Sequence, residues 1–241
     1  MSERIGDQVS ALVFDVFGTV VDWRTGVAEQ VAAIASERGV QLDPPSFADE
    51  WRARYGPSTE RVRTGDRAWA YLDTLHRESL DGLLEAHGVA SSFDEDTRCR
   101  LVHAWHRLPA WEDTVPGLTR LRTRYVLATL SNGGVALLTH LAKAAALPFD
   151  CILSAELAHT YKPHPAVYRM AARLLDLEPG RVMMVAAHAN DLEAAASVGL
   201  RTAFVERPDE LGPGLVPDRI GEVACDVAAG SLTELADSLD C

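Results

Sequence analysis

Short apolar runs alternate with helix-patterned segments through the C-terminal half of the chain, and this alternation constrains the fold more than any other feature. Residues 125–130, 151–154, 182–187 and 202–205 each read as a short strand. Helical spacing fills the gaps between them, over residues 135–146, 165–175 and 191–198. Pro165 sits in a first turn, where its missing N–H costs nothing. Strands joined through helices run parallel, so the pattern predicts an α/β fold: a parallel sheet with helices on both faces. An earlier apolar run, residues 11–14, has the same texture and ends at Asp15, with Gly18 supplying a turn.

Between that first strand and the later ones, residues 24–110 carry only helical patterns. Val27, Val31, Ile34 and Ala35 mark one helix, and Gly39 is placed to cap it. Pro44-Pro45 and Gly56-Pro57 break the pattern. The expectation is a core of residues 1–23 and 111–241 interrupted by an inserted helical cap, residues 24–110. In open parallel sheets, ligands bind beyond the carboxyl ends of the strands. Asp15, Ser131-Asn132 and the loop from His188 to Asp191 each follow a predicted strand, and Lys162 lies a few residues beyond another. Four segments distant in sequence are therefore expected to meet at one edge.

The 241 residues, 47% hydrophobic and 24% charged, suffice for a packed core. A formal net charge of −12 argues against nucleic acid or an anionic membrane as partner, because phosphate surfaces need clustered Lys and Arg. A small anion needs only a few well-placed cations. Cys99, Cys151, Cys225 and Cys241 form no CxxC pair and no zinc spacing. The first residues lack the apolar stretch of a signal peptide, and no apolar run approaches the roughly 18 residues that span a bilayer. A cytoplasmic protein is expected.

Asp15 carries the strongest chemical signal. A carboxylate at the end of an apolar strand is costly to bury unless paired. The alternative is a carboxylate that only accepts loop N–H groups. Together, Asp15-Val16-Phe17-Gly18-Thr19, Leu130-Ser131-Asn132-Gly133, Tyr161-Lys162-Pro163 and residues 185–192 resemble, in order, the motifs of the haloacid dehalogenase superfamily. The resemblance covers essentially the whole chain and implies a Rossmann-like core with an inserted cap. The superfamily's phosphatases place a second Asp two residues after the nucleophile, and acidic Mg²⁺ ligands in the fourth motif. Here those positions hold Phe17 and Ala187. A phenyl ring donates no proton, and Mg²⁺ prefers octahedral oxygen ligands. A halide leaving group needs neither, so the chain is more similar to the type II, or (S)-2-haloacid, dehalogenases. That similarity implies no cofactor.

It also implies a role for each matching residue. Asp15 would attack C2 of a short haloacid with inversion and form an ester, splitting one hard step into two. Thr19 would hydrogen-bond Asp15. Arg52 and Asn132 would face the halide, with Phe17 alongside, and Ser131 would bind the substrate carboxylate. Lys162 would keep Asp15 ionised, Tyr168 would stand near the site, and Asp191 would position or activate the hydrolytic water. A homodimer is common in that family, although no residue pattern here signals one independently.

Several positions depart from the family. Phe17 replaces a frequent Tyr, and Ala186, Ala187, His188 and Asn190 replace serines, an asparagine and an aromatic in the fourth motif. His188 either helps position water or only bonds loop backbone. Trp51, Tyr55, Trp69 and Tyr71 are expected to pack cap against core, with pocket lining as the alternative. His103 and His106 lack a third ligand for a metal. The charged residues around 206–218 read as a solvated loop. Two other functions stay open on sequence: a Mg²⁺-dependent phosphatase or phosphonatase, and a non-catalytic protein that binds small acids.

Overall fold

The computed structural model describes residues 4–241 and contains a sheet of six parallel strands. These are β1 (Ala11–Phe14), β2 (Val126–Ser131), β3 (Cys151–Ser154), β4 (Val182–Ala186), β5 (Arg201–Val205) and β6 (Val227–Ala229), in the order β3-β2-β1-β4-β5-β6. A short α1 (Ile5–Gln8) precedes β1. The interval before β2 holds α2 (Trp23–Arg38), α3 (Pro44–Ala53), α4 (Tyr55–Arg63), α5 (Leu72–Ala86), α6 (Glu95–Val102) and α7 (Thr114–Leu121). Then α8 (Val135–Ala144), α9 (Pro165–Leu174) and α10 (Ala189–Ser197) join successive strands, and α11 (Leu232–Ser238) follows β6.

Right-handed crossovers decide which face each helix covers. The chain steps from β1 to β3 in one direction and from β3 to β5 in the other, so α8 falls opposite α9 and α10. Accordingly α9 packs on α10, α10 on β4 and β5, and α8 on β3. β1 and β4 are buried along their full length. Cover on both faces is why they are continuous apolar runs rather than alternating ones. At the β1–β4 junction the chain departs in opposite directions, which opens a crevice beyond the strand ends.

The turn after β1 is locked. Phe17 pairs with Val21, and Val21 bridges Ala110, so the entry to the helical interval lies beside its exit. Trp111 Nε1 donates to the Gly18 carbonyl at 2.8 Å, and the Thr114 hydroxyl donates to the Val20 carbonyl at 2.8 Å.

Tyr71 departs from its expected packing role, and two further features add to the sequence reading. The helical stretch is interrupted beside both Pro44-Pro45 and Gly56-Pro57, and each proline lies at the start of the next helix: Pro44 begins α3 behind an Asp43 cap, and Pro57 lies in the first turn of α4, where no N–H is required. Tyr71 is 55% exposed and packs no core. After β5 the sequence carries no readable pattern, yet β6 extends the sheet and α11 packs against α7.

Candidate active site

The four segments meet where the strand order predicts. Asp15 ends β1, Ser131 ends β2, Lys162 follows β3, and His188 and Asp191 follow β4. With Phe17, Arg52, Tyr55, Asn132, Pro163 and Asn190 they line a cavity of about 180 Å³. Lys162 Nζ lies between two carboxylates, 2.8 Å from Asp15 Oδ1 and 2.5 Å from Asp191 Oδ2. The Thr19 hydroxyl donates to Asp15 Oδ2 at 2.9 Å and accepts the Ala187 N–H at 2.9 Å, so it ties the loop after β1 to the loop after β4. The Tyr168 hydroxyl donates to Asp191 Oδ1 at 2.5 Å. His188 Nδ1 stands 3.2 Å from Asp15 Oδ2.

These contacts set the charges. Burial presses the Asp15 carboxyl towards its neutral form, but Lys162 and His188 override it and hold the group well below the usual carboxylate range. For Lys162, burial disfavours the ammonium, yet the two carboxylates raise it above its ordinary value. Asp191 is raised, because burial and the nearby Asp15 outweigh its bond from Lys162. Burial opposes charge on His188 too, but its hydrogen bonds to Asp15 and Glu210 push it up to about 10.

The far wall comes from the helical interval. The Arg52 guanidinium lies over Tyr55 at 4.3 Å and over Trp23 at 5.5 Å from the ring centres. It forms no ion pair among the described residues, which leaves its charge directed at the cavity. Asn132 Nδ2 donates to the Tyr55 hydroxyl at 2.6 Å, and Asn132 Oδ1 accepts the Lys162 backbone N–H at 2.7 Å. Phe17 packs edge-on to Trp105, which stacks on Trp23. The wall two residues after Asp15 is therefore apolar.

The family described as haloacid dehalogenase-like hydrolase matches residues 9–199. This chain belongs to that family. It is 32% identical over 209 residues to (S)-2-haloacid dehalogenase 1 of Pseudomonas sp. (strain CBS-3), an alignment covering 83% of this chain and 86% of that protein. Its fold is similar to that of a defluorinating L-2-haloacid dehalogenase, with 44% identity, a TM-score of 0.94, and coverage of 97% and 96% of the two chains. A further L-2-haloacid dehalogenase structure is 46% identical with a TM-score of 0.92, covering 96% of this chain and 99% of that one.

Within this haloacid dehalogenase-like hydrolase, Asp15, Phe17, Arg52, Ser131, Asn132, Lys162, His188 and Asp191 line the cavity. Thr19 and Tyr168 lie behind its wall and reach it through Asp15 and Asp191. Tyr55 lines the cavity and bonds Asn132, a closer involvement than the packing role expected of it. Trp51 is buried among helices, donating to the His76 carbonyl at 3.1 Å. The larger correction concerns residues 206–218, expected as solvated loop. Glu210 is 2% exposed and Arg207 is 7% exposed. Glu210 bonds His188, and Arg207 Nε donates to the Thr19 carbonyl at 2.9 Å. The sequence signal there is slight: Arg207 precedes Pro208 and Glu210 follows two residues later, in a segment after a strand whose charge by itself reads as solvated. His106 contacts His140 and Asp73. Among the described residues no group of three His, Cys, Asp or Glu side chains is arranged to hold a metal ion.

Proposed function

We propose that this protein hydrolyses short (S)-2-haloacids, or haloacetates, to 2-hydroxyacids and halide. The observation that carries it is an ionised Asp15, clamped by Lys162, facing a small cavity that holds Arg52 as a cation and Phe17 where a phosphatase needs an acid. In this proposal Ser131 receives the substrate carboxylate, Arg52 and Asn132 receive the leaving halide, and Asp15 attacks C2. Holding nucleophile and carbon in register is worth roughly 7–11 kcal/mol of barrier. Lys162 and Thr19 fix the carboxylate without neutralising it. Water then adds to the ester carbonyl beside Asp191 and His188. Residues 24–110 act as a cap that excludes bulk water over a core of residues 1–23 and 111–241, which strengthens the contacts to the departing halide.

The partner proposed is a small anionic acid and not nucleic acid, given the net charge of −12. No helix among the described residues is long and apolar enough to cross a membrane. A homodimer is proposed on the family resemblance alone, and a cytoplasmic location on the scattered cysteines of the sequence.

The test is a halide-release panel of fluoro-, chloro- and bromoacetate with both 2-chloropropionate enantiomers, with and without EDTA. Release from the (S) enantiomer, undiminished by EDTA and abolished in Asp15→Asn, is expected. Silence towards every haloacid, with metal-dependent turnover of a phosphate ester, would reject the proposal.

A further inference from the structure

Glu210 plays no part in the mechanism above, yet its side chain is only 3% exposed. Both of its oxygens lie 3.0 Å from His188 Nε2, and Oε1 also accepts from Trp23 Nε1 at 3.1 Å. The loop after β1 is shaped around it. Gly18 has φ +87°, and a Cβ there would lie 2.0 Å from Glu210 Oε1. The second His188 nitrogen, Nδ1, faces Asp15 Oδ2 at 3.2 Å. Ionised carboxylates only accept hydrogen bonds, so an imidazole held between two of them carries a proton on each nitrogen. At rest His188 is thus an imidazolium and cannot act as a base. The other charges nearby are Lys162 and Asp191 across Asp15, Arg52 across the cavity, and Asp218, whose Oδ2 accepts the Ala189 N–H at 2.7 Å.

We propose that Glu210 is the positioning residue of a His188–Glu210 pair that hydrolyses the ester, and that alkylation of Asp15 is the event that frees His188 to act as base. The proposal rests on the dehalogenation reading. As Asp15 bonds C2, the carbon–halogen bond breaks, the halide leaves with the electron pair, and the carboxylate becomes a neutral ester. Nδ1 loses its anionic partner, and its proton passes to solvent through the cavity. Glu210 keeps Nε2–H fixed, so Nδ1 is presented as the acceptor. Water adds to Cγ of Asp15 while one of its protons moves to Nδ1. The bond from Cγ to the Asp15 oxygen now carried on C2 breaks, that oxygen leaves as the alkoxide and takes that proton to become the 2-hydroxyacid, and the water oxygen replaces it on Asp15. The remaining water proton, on the regenerated Asp15 carboxyl, moves to Nδ1 and restores the resting pair. Each turnover releases one halide and one proton, both in the first half.

The order of release is measurable without a variant. The protein is mixed with (S)-2-chloropropionate in weak buffer at about pH 8, and chloride, a pH indicator and 2-hydroxyacid are followed through the first turnover. About one proton per site is expected at the rate of chloride release, ahead of the hydroxyacid. A proton that tracks the hydroxyacid instead overturns the proposal. In Glu210→Gln the first chloride is expected to appear and the ester then to persist on Asp15, seen as a mass gain. Steady turnover should fall at least about ten-fold, and the early proton should vanish at a lower pH than in the native protein. A Glu210→Gln protein with native ester lifetime and native proton timing overturns the proposal as well. Absence of chloride release from any small haloacid overturns the dehalogenation reading itself, a result distinct from either of these.

Discussion

His188 is where single side chains matter most to this site. Folding raises it from an unperturbed value of about 6.5 to about 10. A group raised on folding contributes stability that is complete below its unfolded value and is lost as pH climbs through the folded one. The His188 contribution is therefore present near pH 6 and is lost as pH rises towards 10. Asp15 behaves in the opposite sense. Its carboxyl is depressed, so its contribution is present above about pH 4 and is lost only in stronger acid. Thermal unfolding from pH 6 to 10 should show a falling midpoint in the native protein and a shallower fall in His188→Gln. Equal slopes in the two proteins would contradict the pairing of His188 with Asp15 and Glu210.

At the scale of elements, the loop after β5 is tied to the core by the Arg207–Asp113 ion pair as well as by the Glu210–His188 contact. Arg207 Nη1 and Nη2 lie 2.9 and 3.0 Å from the two oxygens of Asp113, which also accepts the Leu232 N–H at 2.6 Å. That carboxylate thereby joins the start of α7 to the start of α11 and to the loop carrying Glu210. Removing Arg207 strands a carboxylate that is largely shielded from water and cuts the bond to the Thr19 carbonyl. Arg207→Ala should cost up to about 3–5 kcal/mol in chemical denaturation. It should also slow ester hydrolysis more than halide release, because Glu210 loses its support while Lys162 and Arg52 do not. A loss below about 1 kcal/mol with unchanged kinetics would mean the loop is held elsewhere.

For the whole molecule, stability is expected to be uneven. β1 and β4 have strand neighbours on both sides, are buried throughout, and sit at the centre of the sheet. The α3–α6 interval packs through helix faces alone and rejoins the core beside its point of exit. Hydrogen exchange should therefore be slowest in β1 and β4 and measurably faster in α3–α6, since segments with fewer buried apolar contacts open at lower free energy. Uniform protection would argue that the helical interval does not move independently of the core.

Local chemistry made much of this protein legible in one dimension. Strand and helix periods, the capping glycine at 39, the proline opening α9 and the motif residues Asp15, Ser131, Asn132, Lys162 and Asp191 all act through neighbours a few positions away, or through strand ends that a parallel sheet necessarily aligns. Phe17 likewise announced an apolar wall by its identity alone. Tertiary structure decided what sequence spacing cannot encode. The loop after β5 has no period, so nothing local reveals that it folds back to bury Glu210 against His188, 22 residues away along the chain. The same holds for Tyr55 reaching Asn132 across 77 residues. A carboxylate in an aperiodic segment reads as solvated until the fold supplies the cation that lets it be buried, and here that cation is His188.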